Sequence, residues 1–240
     1  MSDSLAIPSN PAELYDARGA DIPLSRPLMQ GDVLKNVDIP GLATDTGLAM
    51  VIMHPCSMRT GSTLRKRLTV VRLIKHHALQ LTQWPDGDYD FMPLPDLMGD
   101  NVDDPAVASC FRDVGSVKTT DLDLRSRIAI LSARGILYLQ QRYVHSGTRV
   151  VVDLETLSMQ MSPIFDELEL QEEWVDAALA ARVSEPSFDE IKAIQVAERE
   201  FQDFLSVDND YLRRGLKDPM RRTEVRRTIR LEVRRRDLQA

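Results

Sequence analysis

Apolar residues in this chain follow two rhythms, and the change from one to the other falls near Ser132. Before it, short apolar runs are separated by Pro, Gly, Asp and Asn, as expected of strands joined by turns. An extended segment begins near Met29 and carries Val33, Val37 and Ile39 up to a Pro40-Gly41 turn, after which residues 42–47 form a loop. Ala49–Met53 has no polar position, which predicts a strand buried on both faces. Pro55 stops it, because proline has no N–H to donate. Leu68–Ile74 and Ala78–Leu81 resume the pattern, and Gln83-Trp84-Pro85-Asp86-Gly87-Asp88 reads as a turn. Tyr89–Leu94, ending in Pro93 and Pro95, predicts an edge strand, and an acidic loop follows over 96–106. Val107–Phe111 and Val114–Lys118 read as two further short strands, and Arg127–Leu131 extends the set.

After Ser132 the spacing becomes helical. Ser132 suits an N-cap for a helix with Ile136, Leu137, Leu139, Gln140 and Tyr143 near one face, ended by Gly147. Residues 149–160 fit strand or helix and are read as helix. A further helix is predicted over Ile164–Val183 and is broken by Ser184-Glu185-Pro186. Ser187 with Glu190 forms a capping box that opens a helix to about Leu205, and Pro219 suits the first residue of a last helix, Met220–Leu238. Residues 1–28, with Pro8, Pro11, Pro23 and Pro27, show no sustained period and read as an arm. The expected architecture is α+β: an N-terminal arm (1–28), a small antiparallel β-barrel with a closing helix (29–160), and a helical C-terminal extension (161–240).

Composition narrows the picture. The 240 residues are 43% hydrophobic but 5% aromatic, so the core must rest on Leu, Val, Ile, Met and Ala. A net charge of -7 argues against wholesale nucleic-acid binding while leaving room for local basic patches. The two cysteines, Cys56 and Cys110, build no disulfide framework and fit a reducing compartment. The N-terminal stretch lacks the features of a signal peptide, and no apolar run approaches the roughly 18–20 residues that cross a bilayer. A cytoplasmic protein without membrane contact is expected.

The helical tail is polarised in charge. Residues 163–210 hold 14 acidic and 3 basic side chains, whereas residues 211–240 hold 11 basic and 4 acidic. Arg222, Arg226, Arg230 and Arg234 recur every four residues and form one stripe on the last helix. This stripe is a candidate partner-binding surface, for a protein partner or for self-association; it suits either nucleic acid or, in the favoured reading, the acidic helices over 163–210 of the same chain or of another copy. A second basic cluster, Arg59, Arg65, Lys66 and Arg67, lies between two apolar runs beside Gly, Ser and Thr, a composition that suits contact with RNA or DNA phosphates. His54, Cys56 and His76 form a candidate polar site. Their spacing does not match the paired ligands of a zinc site, so no metal and no cofactor is expected.

Gly31-Asp32-Val33 followed by a turn, the hydrophobic run after Gly47, Phe111-Arg112-Asp113-Val114 and the helix over Ile136–Tyr143 resemble, in that order, the MazF/PemK toxin family across residues 29–145. The resemblance implies an SH3-like barrel and, in the family's usual form, a homodimeric, metal-independent endoribonuclease. Where the family has Gly-x-Arg-Pro, this chain has Gly47-Leu48-Ala49-Met50, and no Pro-x-Thr segment follows in the family's place. The arginine that would steady the scissile phosphate is therefore missing. The expected function is a catalytically degenerate binding or regulatory subunit of a bacterial toxin–antitoxin or defence-type system. An active endoribonuclease of single-stranded RNA with a relocated cation, and a structural or assembly protein, are the alternatives.

Overall fold

The computed structural model describes residues 4–43, 46–60, 63–77, 81–84, 89–98, 106–180 and 189–237. It divides into two compact units. The first comprises Met1–Ile22, Leu28–Met58 and Arg65–Gln160, and the second comprises Pro23–Pro27, Arg59–Leu64 and Met161–Ala240.

The first unit is built on seven strands: β1 (Tyr15–Arg18), β2 (Asp32–Lys35), β3 (Leu48–Val51), β6 (Arg67–Lys75), β7 (Phe91–Leu94), β8 (Val107–Lys118) and β9 (Arg127–Leu131). The two remaining strands, β4 (Arg59–Thr60) and β5 (Thr63–Leu64), form a separate hairpin. All neighbours in the order β1-β9-β2-β3-β6-β8-β7 run antiparallel, and the sheet curls into a half-barrel. β3 is buried at every position and sits in the middle, which is why its sequence carries no polar residue. β7, with Pro93, takes an edge, where a missing N–H is tolerated.

Two sequence expectations change here. The runs 107–111 and 114–118 are one strand, β8, and the polar Arg112-Asp113 step between them is a bulge. Opposite it the register jumps, with Val71 facing Val114 but Leu73 facing Ser109. Arg72 spans the irregularity, its Nε donating to Asp113 Oδ2 at 2.9 Å. The N-terminal segment is a working part of the fold: β1 pairs with β9, and Leu14 is fully buried. Tyr15 Oη also donates to Pro95 O at 2.8 Å, and Arg18 donates to Asp96 O. Residues flanking β7 thus meet β1, so the two outer strands are tied by side chains where no ladder joins them. Leu81 belongs to a 3-10 turn, while residues 78–80 and 85–88 lie outside the described residues.

Helix α2 (Ala133–Thr148) opens on Ser132, whose Oγ accepts the Gly135 N–H at 2.9 Å. It runs past Gly147, and Arg149 in the left-handed region closes it with an N–H to His145 O at 2.8 Å. The short α1 (Pro55–Met58) precedes the β4–β5 hairpin.

The second unit packs α3 (Leu154–Ala180, whose residues up to Gln160 belong to the first unit), α4 (Glu190–Lys217) and α5 (Arg222–Asp237). α3 begins ten residues before the expected Ile164 and absorbs Pro163, so packing outweighs the lost ladder bond. The N-cap of α4 is Asp189, which accepts the Lys192 N–H at 3.2 Å; Ser187 and the 184–186 break lie outside the described residues. α4 continues beyond Leu205 through a polar Ser-Val-Asp-Asn-Asp stretch, where Asp208 and Asp210 have φ of 52° and 60°. That local departure from helical geometry is where the apolar period fades. Pro219 and Met220 lie in a turn before α5. The core joins Leu170, Trp174, Ile194, Phe201, Leu216 and Ile229, with Trp174 edge-on to Phe201 at 5.6 Å. No described helix is long and apolar enough to cross a membrane.

Candidate nucleic-acid interface

The cations singled out in the sequence separate into three environments. Arg59 belongs to the helical unit, where its guanidinium lies 3.4 Å from Glu198, with both side chains largely covered. Glu198 also accepts from Gln171 Nε2 at 3.2 Å. Arg59 is therefore a docking residue for the β4–β5 hairpin.

Arg65, Lys66 and Arg67 enter β6 and are exposed. Arg67 is directly opposite Lys118, the last residue of β8 and also exposed. Its guanidinium donates to Ser116 Oγ at 2.9 Å and to Ser116 O at 2.6 Å, which fixes its direction. Thr119 N–H donates to Lys66 O at 3.1 Å and holds the two strand ends together. Among the described residues, Arg65, Lys66, Arg67 and Lys118 form no ion pair. Four cations thus share one corner of the sheet. Lys118 and Ser116 escaped the sequence reading because β8 lies far from the loop in the chain; the signal was present in the polar end of the 107–118 segment.

The same end of the sheet carries His54 and Cys56, since the N–H groups of Ile52 and Met53 both donate to Thr69 O, at 3.1 and 3.2 Å. His54 Nδ1 accepts the Cys56 N–H at 3.3 Å, and desolvation lowers the His54 pKa, so its ring is neutral near pH 7 and adds no charge. Cys56 is exposed. His76 does not join them. It follows the opposite end of β6, six positions beyond Val70, which pairs with Val51; at about 3.3 Å per residue that is roughly 20 Å away. His76 instead stacks on His77, with ring centroids 4.2 Å apart. No group of three or more His, Cys, Asp or Glu that could hold a metal occurs among the described residues.

The C-terminal stripe is mostly engaged within its own chain. Arg222 lies 3.6 Å from Asp166, and its Nη1 donates to Ser162 Oγ at 2.8 Å. Arg226 reaches Asp166 and Glu169, both at 2.8 Å, and Arg230 reaches Glu169 at 2.6 Å and Glu173 at 2.7 Å. Asp166 and Glu169 each bridge two arginines, and hydrogen bonding to Glu173 raises the Arg230 pKa further. Arg234 alone of the four points to solvent without an ion pair among the described residues. Arg236, two residues further on, stacks on Trp174 at 3.9 Å and pairs with Glu200 at 2.9 Å.

No known protein family matches this chain, and comparison with curated proteins finds no relative.

Proposed function

We propose that the chain is a nuclease-silent, MazF/PemK-like binding subunit of a bacterial toxin–antitoxin or defence-type system, and that Arg65, Lys66, Arg67 and Lys118 dock the phosphate backbone of a nucleic acid. The observation that carries the reading is the exposed Arg67–Lys118 pair. Like charges directly opposite on antiparallel strands weaken a sheet. A like-charge pair that costs stability is expected at a functional site. Clustered, solvated cations with no carboxylate partner are suited to displacing the counterions of a polyanion.

The SH3-like assignment draws support from the curled antiparallel sheet, from Gly31-Asp32 opening β2, and from α2 following the last strand. Silence as a nuclease is inferred from the missing Gly-x-Arg-Pro arginine and from the engagement of Arg59 by Glu198. Transition-state charge on phosphorus needs a positioned cation and an acid–base pair, and His54 and His76 sit at opposite ends of the sheet.

The test is fluorescence anisotropy with labelled RNA and DNA, comparing the parent with a Lys66→Glu/Lys118→Glu variant of unchanged melting temperature. The variant should bind weakly and with a flatter salt dependence. Equal affinity of the two proteins would refute the corner as the site. Incubation with mixed RNA in EDTA should leave the RNA intact, and cleavage abolished by Arg65→Ala would overturn the nuclease-silent reading.

A further inference from the structure

The geometry points to a duplex, held through its phosphates and independently of sequence, as the nucleic acid this corner takes; the inference rests on the phosphate-binding reading above. Single strands gain affinity chiefly by stacking bases on aromatic side chains in a basic groove. The stretches of the first unit around the corner, 52–58, 65–73 and 112–131, contain no Phe, Tyr or Trp. The ring they do contain, His54, is turned onto its own loop by the 3.3 Å contact with the Cys56 N–H. The exposed aromatic side chains among the described residues, Tyr143 and Tyr211, lie on α2 and α4.

What the corner offers instead is a cluster of exposed cations on paired backbone, with the Arg67 guanidinium fixed in direction. Arg67 and Lys118 are held opposite each other on paired strands, about 5 Å apart at Cβ. Arg67 is locked to Ser116, and Lys66 is tied to Thr119 through its carbonyl. A duplex carries one negative charge per about 1.7 Å of axis and holds it in a rigid lattice. Such a patch therefore faces several phosphates at once on a duplex. On a flexible strand of lower charge density it reaches fewer, and no stacking makes up the difference. The absence of base-reading rings and the reliance on backbone charge make the binding tolerant of sequence.

The experiment presents one sequence to the full chain as duplex DNA, as duplex RNA and as each separate strand, with anisotropy read across a salt series. A duplex should bind about tenfold more tightly than its own strands at about 50 mM salt, and should lose about a hundredfold by about 200 mM, as four neutralised phosphates require. Lys66→Glu and Lys118→Glu should each reduce the slope by about one. The tighter of the two duplexes identifies the source of the backbone, and equal binding of both is also the result expected of pure phosphate contact. Single strands bound as tightly as duplexes, or more so, would overturn the duplex inference while leaving the phosphate reading in place. No binding to any form at about 50 mM salt would overturn both.

Discussion

At Gly135 the backbone of α2 passes so close to Leu14 that a methyl group has no room. A Cβ there would sit 2.2 Å from Leu14 O, a backbone atom that cannot move aside because it also accepts the Ser132 N–H at 2.9 Å. Gly135→Ala should therefore destabilise the chain by roughly 1–3 kcal/mol despite alanine's better helix propensity, and urea unfolding will measure it. A second residue-scale constraint is the ion pair between Asp32 and Arg127, 3.3 Å apart with each side chain 1% exposed. The same oxygen, Asp32 Oδ2, also accepts the Met29 N–H at 3.1 Å. Arg127→Met strands that charge and should cost about 3–5 kcal/mol. Adding Asp32→Leu should restore much of the loss. A double variant as unstable as Arg127→Met alone would show that the pair is needed for its geometry and not merely for charge balance.

At the scale of the element, α2 carries a titratable group in its last turn. His145 is 8% exposed and meets the Tyr89 ring edge-on at 4.8 Å. Burial first, then the charges of Arg149 and Arg142, lower its pKa below the ordinary value of 6.5. The unfolded chain thus takes up a proton at a pH where the folded chain does not, and stability rises with pH across that window. The contribution is complete above about pH 6.5 and falls away as the pH drops below it. His145→Gln should flatten this acid limb when unfolding free energies are compared at about pH 8 and about pH 5.5; parallel pH profiles for parent and variant would rule out His145 as the cause. Elements also show what a one-dimensional pattern can carry. The all-apolar β3 and the Ser132 cap are legible because burial on both faces and N-capping are local consequences of residue type. The continuity of β8 is not, since the polar Arg112-Asp113 step divides its apolar run into two until Arg72 on β6 is seen to bridge the bulge. Nor is the full length of α4, whose periodic stripe stops at Leu205 where the left-handed Asp208 and Asp210 interrupt it. Lys118 was invisible as a site residue for the same reason: its companion Arg67 becomes a neighbour only through the β6–β8 register.

For the whole molecule, charge is sorted by use. The chain is acidic, at -7, and its most conspicuous basic feature, the α5 stripe, is largely neutralised by α3 carboxylates of the same chain. Within the helical unit, Arg226 and Arg230 lie on the flank of a helix whose Val225 and Ile229 are buried, and Gly215 admits Val225 so closely that a Cβ would lie 2.5 Å from its Cγ2. These arginines act as packing partners more than as a free surface. Arg59 is spent in the same way on Glu198, although in the sequence it stands in one basic run with Arg65, Lys66 and Arg67. The run thus divides into a structural cation and a solvated cluster, and mutation can separate them. Arg59→Ala leaves the Glu198 carboxylate covered and deprived of its cation, and should cost about 1–3 kcal/mol of stability. Its affinity for nucleic acid and its salt slope should stay at the parent value. Lys118→Glu should do the reverse, lowering affinity and slope with little change in melting temperature, because an exposed lysine that opposes Arg67 contributes no favourable pair to the fold and a glutamate there would supply one. Paired melting and anisotropy measurements on the two variants decide the matter. If Arg59→Ala weakens binding as much as Lys118→Glu does, at a salt concentration where both remain folded, the division of the basic run into a packing residue and a binding corner is wrong.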